Sequence, residues 1–120
     1  MRPDSRDAGF LWDMLEYAKI VRKETAPLKY HQYLQNRMLQ LAMAMAVEVI
    51  GTAAGRISAE FQKAHPEISW QEIIGHGHFY AHEYDKIKQE ELWHTAAVSV
   101  PELIALLEPL IPPLPPEVED

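Results

Sequence analysis

An all-α fold, a bundle of four to five helices, is predicted by three features of this 120-residue chain. Apolar residues return every three or four positions over long stretches. Two Ser-x-x-Glu segments have the form of helix-start capping boxes, and no convincing strand pattern interrupts them.

The elements follow in order. A first helix is expected from about Arg6 to Lys23, where Phe10, Leu11, Met14, Leu15, Ala18 and Val21 draw one apolar stripe. A second should start after Pro27 and run to about Lys63, its period kept by Tyr30, Tyr33, Leu34, Met38, Leu41, Met45 and Glu48/Val49. Gly51 and Gly55 lie inside it. Each costs about 1 kcal/mol relative to alanine, so a kink or a close helix crossing is expected there. The run Leu41-Ala42-Met43-Ala44-Met45-Ala46 is apolar nearly all round. That suits a central helix facing both its own core and a second copy of the chain, so a homodimer is expected.

His65-Pro66 ends this helix, because the residue before proline avoids the α region. Ser69-Trp70-Gln71-Glu72 then starts a third helix at Trp70, running to about Tyr84. Lys88 to Ala97 reads as a short fourth helix carrying Leu92 and Trp93. Ser99-Val100-Pro101-Glu102 repeats the capping form and starts a fifth, with Leu103, Leu106 and Leu107 as its buried side. Residues 109–120 form a Pro-rich tail, expected to be extended and packed on the bundle rather than to serve as a ligand for another domain. The whole chain, residues 1–120, is read as a single domain.

Composition narrows the function. With 48% apolar and 24% charged residues the chain should be globular. The absence of cysteine excludes disulfides and thiolate metal sites. No stretch reaches the roughly 20 apolar residues of a membrane span, and the first residues do not read as a signal peptide, so a cytoplasmic protein without a membrane partner is expected. The net charge of -7 argues against broad phosphate-backbone binding and leaves room only for a small local cleft.

The chemistry concentrates in residues 76–84, which hold His76, His78, His82, Tyr80 and Tyr84. On a helix His78 and His82 share a face, one turn apart, while His76 points elsewhere. A His-x-x-x-His pair can hold zinc when a third ligand arrives from another segment. Glu83 and Asp85 do not lie on that face, no His-Glu-x-x-His segment exists, and no metal or other cofactor is expected. The histidines could instead cap, hydrogen-bond or line an interface, which is the expected role for His76. Imidazole is also the side chain best suited to proton transfer near neutral pH, and Tyr84 offers a hydroxyl two residues beyond His82. Those are the parts of a site that handles phosphodiesters.

These segments resemble the HepT-like branch of the HEPN superfamily, small all-α toxins of toxin–antitoxin pairs. The resemblance rests on Arg6-Asp7 with Leu11-x-Asp13-Met14-Leu15, Val49-Ile50-Gly51, His65-Pro66-Glu67-Ile68-Ser69-Trp70, Ile73-Ile74-Gly75, Ala81-His82-Glu83-Tyr84 and Leu92-Trp93. It implies metal-independent RNA cleavage in the cleft of a homodimer, with His82 moving a proton and Tyr84 beside it. It also implies an antitoxin partner, a minimal nucleotidyltransferase that attaches AMP to the tyrosine matching Tyr84 and so blocks RNA by bulk and charge.

The chain departs from the family at two positions. The motif begins with an arginine, which should fall at position 77, and this chain has Gly77 followed by His78. Thr52 stands where the family has an acidic residue. A fixed cation beside the phosphorus can contribute several kcal/mol to a transition state. His78 could supply a part-time substitute, since an imidazole of ordinary pKa, about 6.5, is mostly neutral at pH 7. The resemblance thus implies weak cleavage or none, and leaves a second role, that of a non-catalytic partner or substrate-binding subunit of the nucleotidyltransferase.

Overall fold

In the computed structural model, residues 3–111 are described, and all regular structure among them is helical. The elements are α1 (Ser5–Thr25), α2 (Tyr30–Leu34), α3 (Arg37–Gly55), α4 (Ala59–Ala64), α5 (Trp70–His82), a 3-10 turn (Tyr84–Lys86), α6 (Gln89–His94), a π turn (Thr95–Ser99), α7 (Val100–Leu107) and a final 3-10 turn (Glu108–Leu110). Helix α3 is central and packs on α1 and α5.

The first helix forms as expected. The Asp4 carboxylate accepts the Asp7 N–H at 2.7 Å, which satisfies one of the donors a helix start leaves open. Its stripe Leu11, Met14, Leu15, Ala18 and Val21 is buried in the core.

The single second helix expected up to Lys63 is instead three, and polar side chains make the breaks. Asn36 accepts the Leu39 N–H at 3.0 Å and so starts α3 afresh. Buried Gln40 seals the corner by donating to the carbonyls of Tyr33 (3.3 Å) and Leu34 (3.1 Å). At the other end Ser58 accepts the Phe61 N–H at 3.2 Å and starts α4. Asparagine and serine compete for backbone groups in this way, and apolar periodicity alone does not register it.

Ser58 is held in turn by Asp7, whose carboxylate accepts the Ser58 N–H at 2.8 Å and its hydroxyl at 2.6 Å. Asp7 is only 3% exposed. Asp7→Ala therefore leaves a half-buried N–H without its acceptor, and we expect a loss of about 2–3 kcal/mol in urea unfolding, since hydrogen bonds to charged groups contribute about 1.5–3 kcal/mol. Asp7→Asn, which keeps an acceptor oxygen, should lose less.

Four further expectations change. Ser69 does precede a helix starting at Trp70, but its side chain makes no cap bond. Instead the Trp70 indole N–H donates to the His65 carbonyl at 2.9 Å, and Phe61 packs edge-on against the ring. Ser99 does not open a separate helix: its backbone is helical, and α6 runs through the π turn straight into α7. Tyr84 lies beyond the end of α5, in the 3-10 turn. Pro109 and Leu110 sit in the last 3-10 turn rather than in an extended tail, and the remainder of the tail, residues 112–120, lies outside the described residues.

By length and composition alone, α3 could cross a membrane. Here its apolar content serves the bundle: Met43, Ala46, Val47, Ile50, Ala53 and Ala54 are all core residues.

Candidate functional site

Two glycines set the geometry of the site. Gly51 of α3 and Gly77 of α5 meet backbone to backbone. A Cβ added to Gly77 would lie 2.8 Å from the Gly51 Cα and 3.2 Å from the Glu48 carbonyl oxygen. A Cβ on Gly51 would lie 2.6 Å from the Gly77 Cα. The close crossing expected near Gly51 thus exists. The helices run antiparallel through it, because Gly55 lies against Ile74 while Glu48 lies against Gly77. Position 77, where the motif arginine would stand, is therefore buried and filled by the neighbouring backbone.

From this crossing helical periodicity divides α5 in two. One side carries Ile73 and His76, which with Val47, Ile50, Ser99 and Leu103 line a small cavity of about 150 Å³. His76 thus points away from His78, as the spacing predicts. The other side carries Gln71, Gly75, His78 and His82, all exposed. The rings of His78 and His82 lie 5.0 Å apart. Among the described residues neither forms a hydrogen bond or ion pair with the protein.

The solvent side of α3 continues this surface. Leu41, Met45, Glu48 and Thr52 recur at helical spacing on one flank of α3, and Leu41 shares a cleft with Tyr84. Met38 is 75% exposed, Met45 57% and Leu41 48%. The apolar period read along Leu34, Met38, Leu41 and Met45 is therefore an outer stripe, and the core face of α3 is the one through Met43, Val47 and Ile50.

The two tyrosines of the segment separate. Tyr80 is buried in the core, whereas Tyr84 is 78% exposed. Antiparallel packing brings Arg37, the first residue of α3, to the wall of the same cleft as Tyr84, together with Leu41, Ala44 and Asp85. The Arg37 guanidinium donates to Gln40 Oε1 at 3.1 Å. The sequence offered only His78 as a substitute cation and did not point to Arg37; only the direction of the α3–α5 packing could have done so.

Among the described residues no group of three or more His, Cys, Asp or Glu side chains is gathered that could hold a metal ion. What the arrangement offers is two free imidazoles, an exposed phenol and one guanidinium along a partly apolar face. That is a set for binding and proton transfer at a phosphodiester.

Beneath this face the phenols are strongly biased. Burial pushes Tyr33 far above its ordinary 10.0, helped by Tyr80 and Tyr30 and opposed by Arg37. Tyr33 donates to Gln89 Oε1 at 2.6 Å. Tyr80 is also raised, by burial first and then by the Glu91 carboxylate, with a hydrogen bond to Thr95 opposing. For a group whose folded pKa lies above its unfolded value, the stabilisation is complete below the unfolded value, about 10 here, and is lost as pH rises towards the folded one. The urea midpoint should fall between about pH 9 and pH 11, and Tyr33→Phe should make that fall shallower. Parallel slopes in the two proteins would contradict the assignment to Tyr33.

A small all-α domain with an open, histidine-bearing helix face is the class that fold and site define. The chain belongs to the family described as Ribonuclease HepT-like, whose model matches residues 14–110. It is similar to "Putative RNase MJ1380" of Methanocaldococcus jannaschii, at 32% identity over 95 residues covering 79% of this chain and 87% of that protein. It is also similar to "Probable ribonuclease HepT" of Thermococcus cleftensis, at 29% identity over 101 residues covering 84% and 92%. No solved structure gives a significant match.

Proposed function

We propose that this protein is the toxin component of a toxin–antitoxin module, a metal-independent RNA endonuclease that acts as a cytoplasmic homodimer without a cofactor. The observation that carries this reading is the placement of His82 and Tyr84. Both are exposed, His82 in the last turn of α5 and Tyr84 in the turn that follows, and among the described residues Met38, Leu41 and Met45 form an exposed outer stripe on α3. A second copy seated on that stripe would bury apolar surface and bring two histidine faces to one cleft, where RNA would bind. Cleavage is slow, because position 77 carries no cation. The partner is a minimal nucleotidyltransferase that attaches AMP to Tyr84, whose 78% exposure leaves its hydroxyl open to transfer.

The test is incubation of the purified protein with mixed cellular RNA in EDTA. Accumulating fragments are expected; RNA that stays intact at stoichiometric protein would sink the nuclease reading. The dimer is tested separately by Met45→Glu, which places a charge in the stripe. Sedimentation should then show a folded, helical monomer, because Met45 is 57% exposed and is not one of the core residues; a dimer surviving the charge would place the interface elsewhere.

The second reading, a non-catalytic substrate-binding subunit of the nucleotidyltransferase, is favoured by the closed state of position 77. Under it, Tyr84 still receives AMP while RNA stays intact.

A further inference from the structure

We propose that His78 and His82 form a two-imidazole proton relay, with His78 a catalytic residue in its own right rather than a substitute for a fixed charge. This rests on the endonuclease reading above. Three observations carry it. The Gly51–Gly77 contact leaves no space for any side chain at position 77. The outer face of α5 is made of Gln71, Ile74, Gly75, His78, Ala81 and His82, so the two imidazoles are its only titratable groups. Their rings are 5.0 Å apart and exposed, and among the described residues no hydrogen bond or ion pair to the protein holds either one.

The charged groups around this face are few. Glu48 and Arg37 come from α3, and Glu83, Asp85 and Lys86 from the turn after α5, where Tyr84 adds a phenol. Lys86 is paired with Glu83 at 3.2 Å, and Arg37 is bonded to Gln40 and lies in the Tyr84 cleft. The Glu48 carbonyl lies against Gly77, the residue before His78.

RNA cleavage without a metal needs two proton transfers. One neutral imidazole takes the proton of the ribose 2'-hydroxyl as the 2'-oxygen forms a bond to phosphorus. The bond from phosphorus to the 5'-oxygen breaks, and that oxygen takes the proton of the second, protonated imidazole. The products are a 2',3'-cyclic phosphate and a free 5'-hydroxyl, and the pair is left with its protons exchanged. Each nitrogen must come within about 2.6–3.2 Å of its oxygen. Two rings one helical turn apart can flank a phosphorus held over the helix face in this way.

The test compares the full-length protein with His78→Gln, His78→Lys and His82→Gln, in EDTA, on RNA with an ordinary 5'-oxygen leaving group and on RNA with sulfur at that position. A thiolate leaves without being protonated, so it dispenses with the acid. On ordinary RNA the unaltered protein should give a bell-shaped pH dependence of kcat, and His78→Gln should lower kcat about 100-fold or more with KM little changed. His78→Lys, a fixed cation, should not restore it. On the sulfur substrate one of the two glutamine variants should recover most of its loss, which identifies the acid. Restoration by His78→Lys, or an unaffected His78→Gln, would overturn the relay while leaving the endonuclease intact. An unaltered protein silent on both substrates would overturn the endonuclease reading and the relay with it.

Discussion

His82→Ala should reduce RNA cleavage by about 10²- to 10⁴-fold, the usual contribution of a positioned acid or base, and leave stability unchanged. Both halves of that expectation come from the same fact. His82 is exposed in the last turn of α5, its ring 5.0 Å from that of His78, and among the described residues no hydrogen bond or ion pair to the protein holds it. Its removal therefore creates no cavity and leaves no buried polar atom unpaired, so the thermal midpoint should move by no more than a typical surface substitution does, about 0.5 kcal/mol. A structural histidine would behave in the opposite way: His65, half-buried against Phe61 and 2.9 Å from Glu67, is the contrasting case on this chain. If His82→Ala cleaves RNA at the original rate while a purified contaminant-free preparation remains active, His82 is not the reacting group. If instead stability and cleavage fall together, the imidazole matters to the fold.

Much of the bundle was legible in sequence because helix burial leaves a periodic trace. The α1 stripe, the start of α5 at Trp70, the break at His65-Pro66 and the glycine crossing all follow from residues that are neighbours along the chain. So does the pairing of His78 with His82, since a spacing of four fixes it. What was hidden depends on the third dimension. The stripe through Leu34, Met38, Leu41 and Met45 is as periodic as the true core stripe, and only packing decides that it faces outward. The breaks at Asn36 and Ser58 need Gln40 and Asp7 as partners; Asp7 lies 51 residues from Ser58. Arg37 and Tyr84 meet only because α3 and α5 run antiparallel. The most consequential case is position 77, where the family resemblance leads one to expect an arginine but the residues alone cannot show that the place is closed.

That closure makes the last expectation a strong one: Gly77→Arg should not restore a ribonuclease but should destabilise the bundle. The backbone of Gly51 stands 2.8 Å from where the first side-chain atom would go, and a helix backbone cannot step aside as a flexible side chain can. Overpacking costs about 1–3 kcal/mol, and the upper end applies where backbone must shift. For a chain of this size that is a fall of about 10–15 °C in Tm. Gly51→Ala should do the same, since its Cβ would meet Gly77 Cα at 2.6 Å, Ile73 O at 2.8 Å and Gly77 N at 2.9 Å. Gly9→Ala and Gly75→Ala are the internal controls. Neither new Cβ would have a neighbour within 4 Å, and removing glycine from a helix should stabilise each by about 0.5–1 kcal/mol. Four alanine or arginine variants thus separate steric closure from helix propensity on one scaffold. A Gly77→Arg protein as stable as the original and faster on RNA would mean that the crossing can widen at little cost, and that the cation alone was absent. A less stable protein that cuts no faster would mean that the close crossing and the motif arginine are alternatives, and that this chain is built around the first.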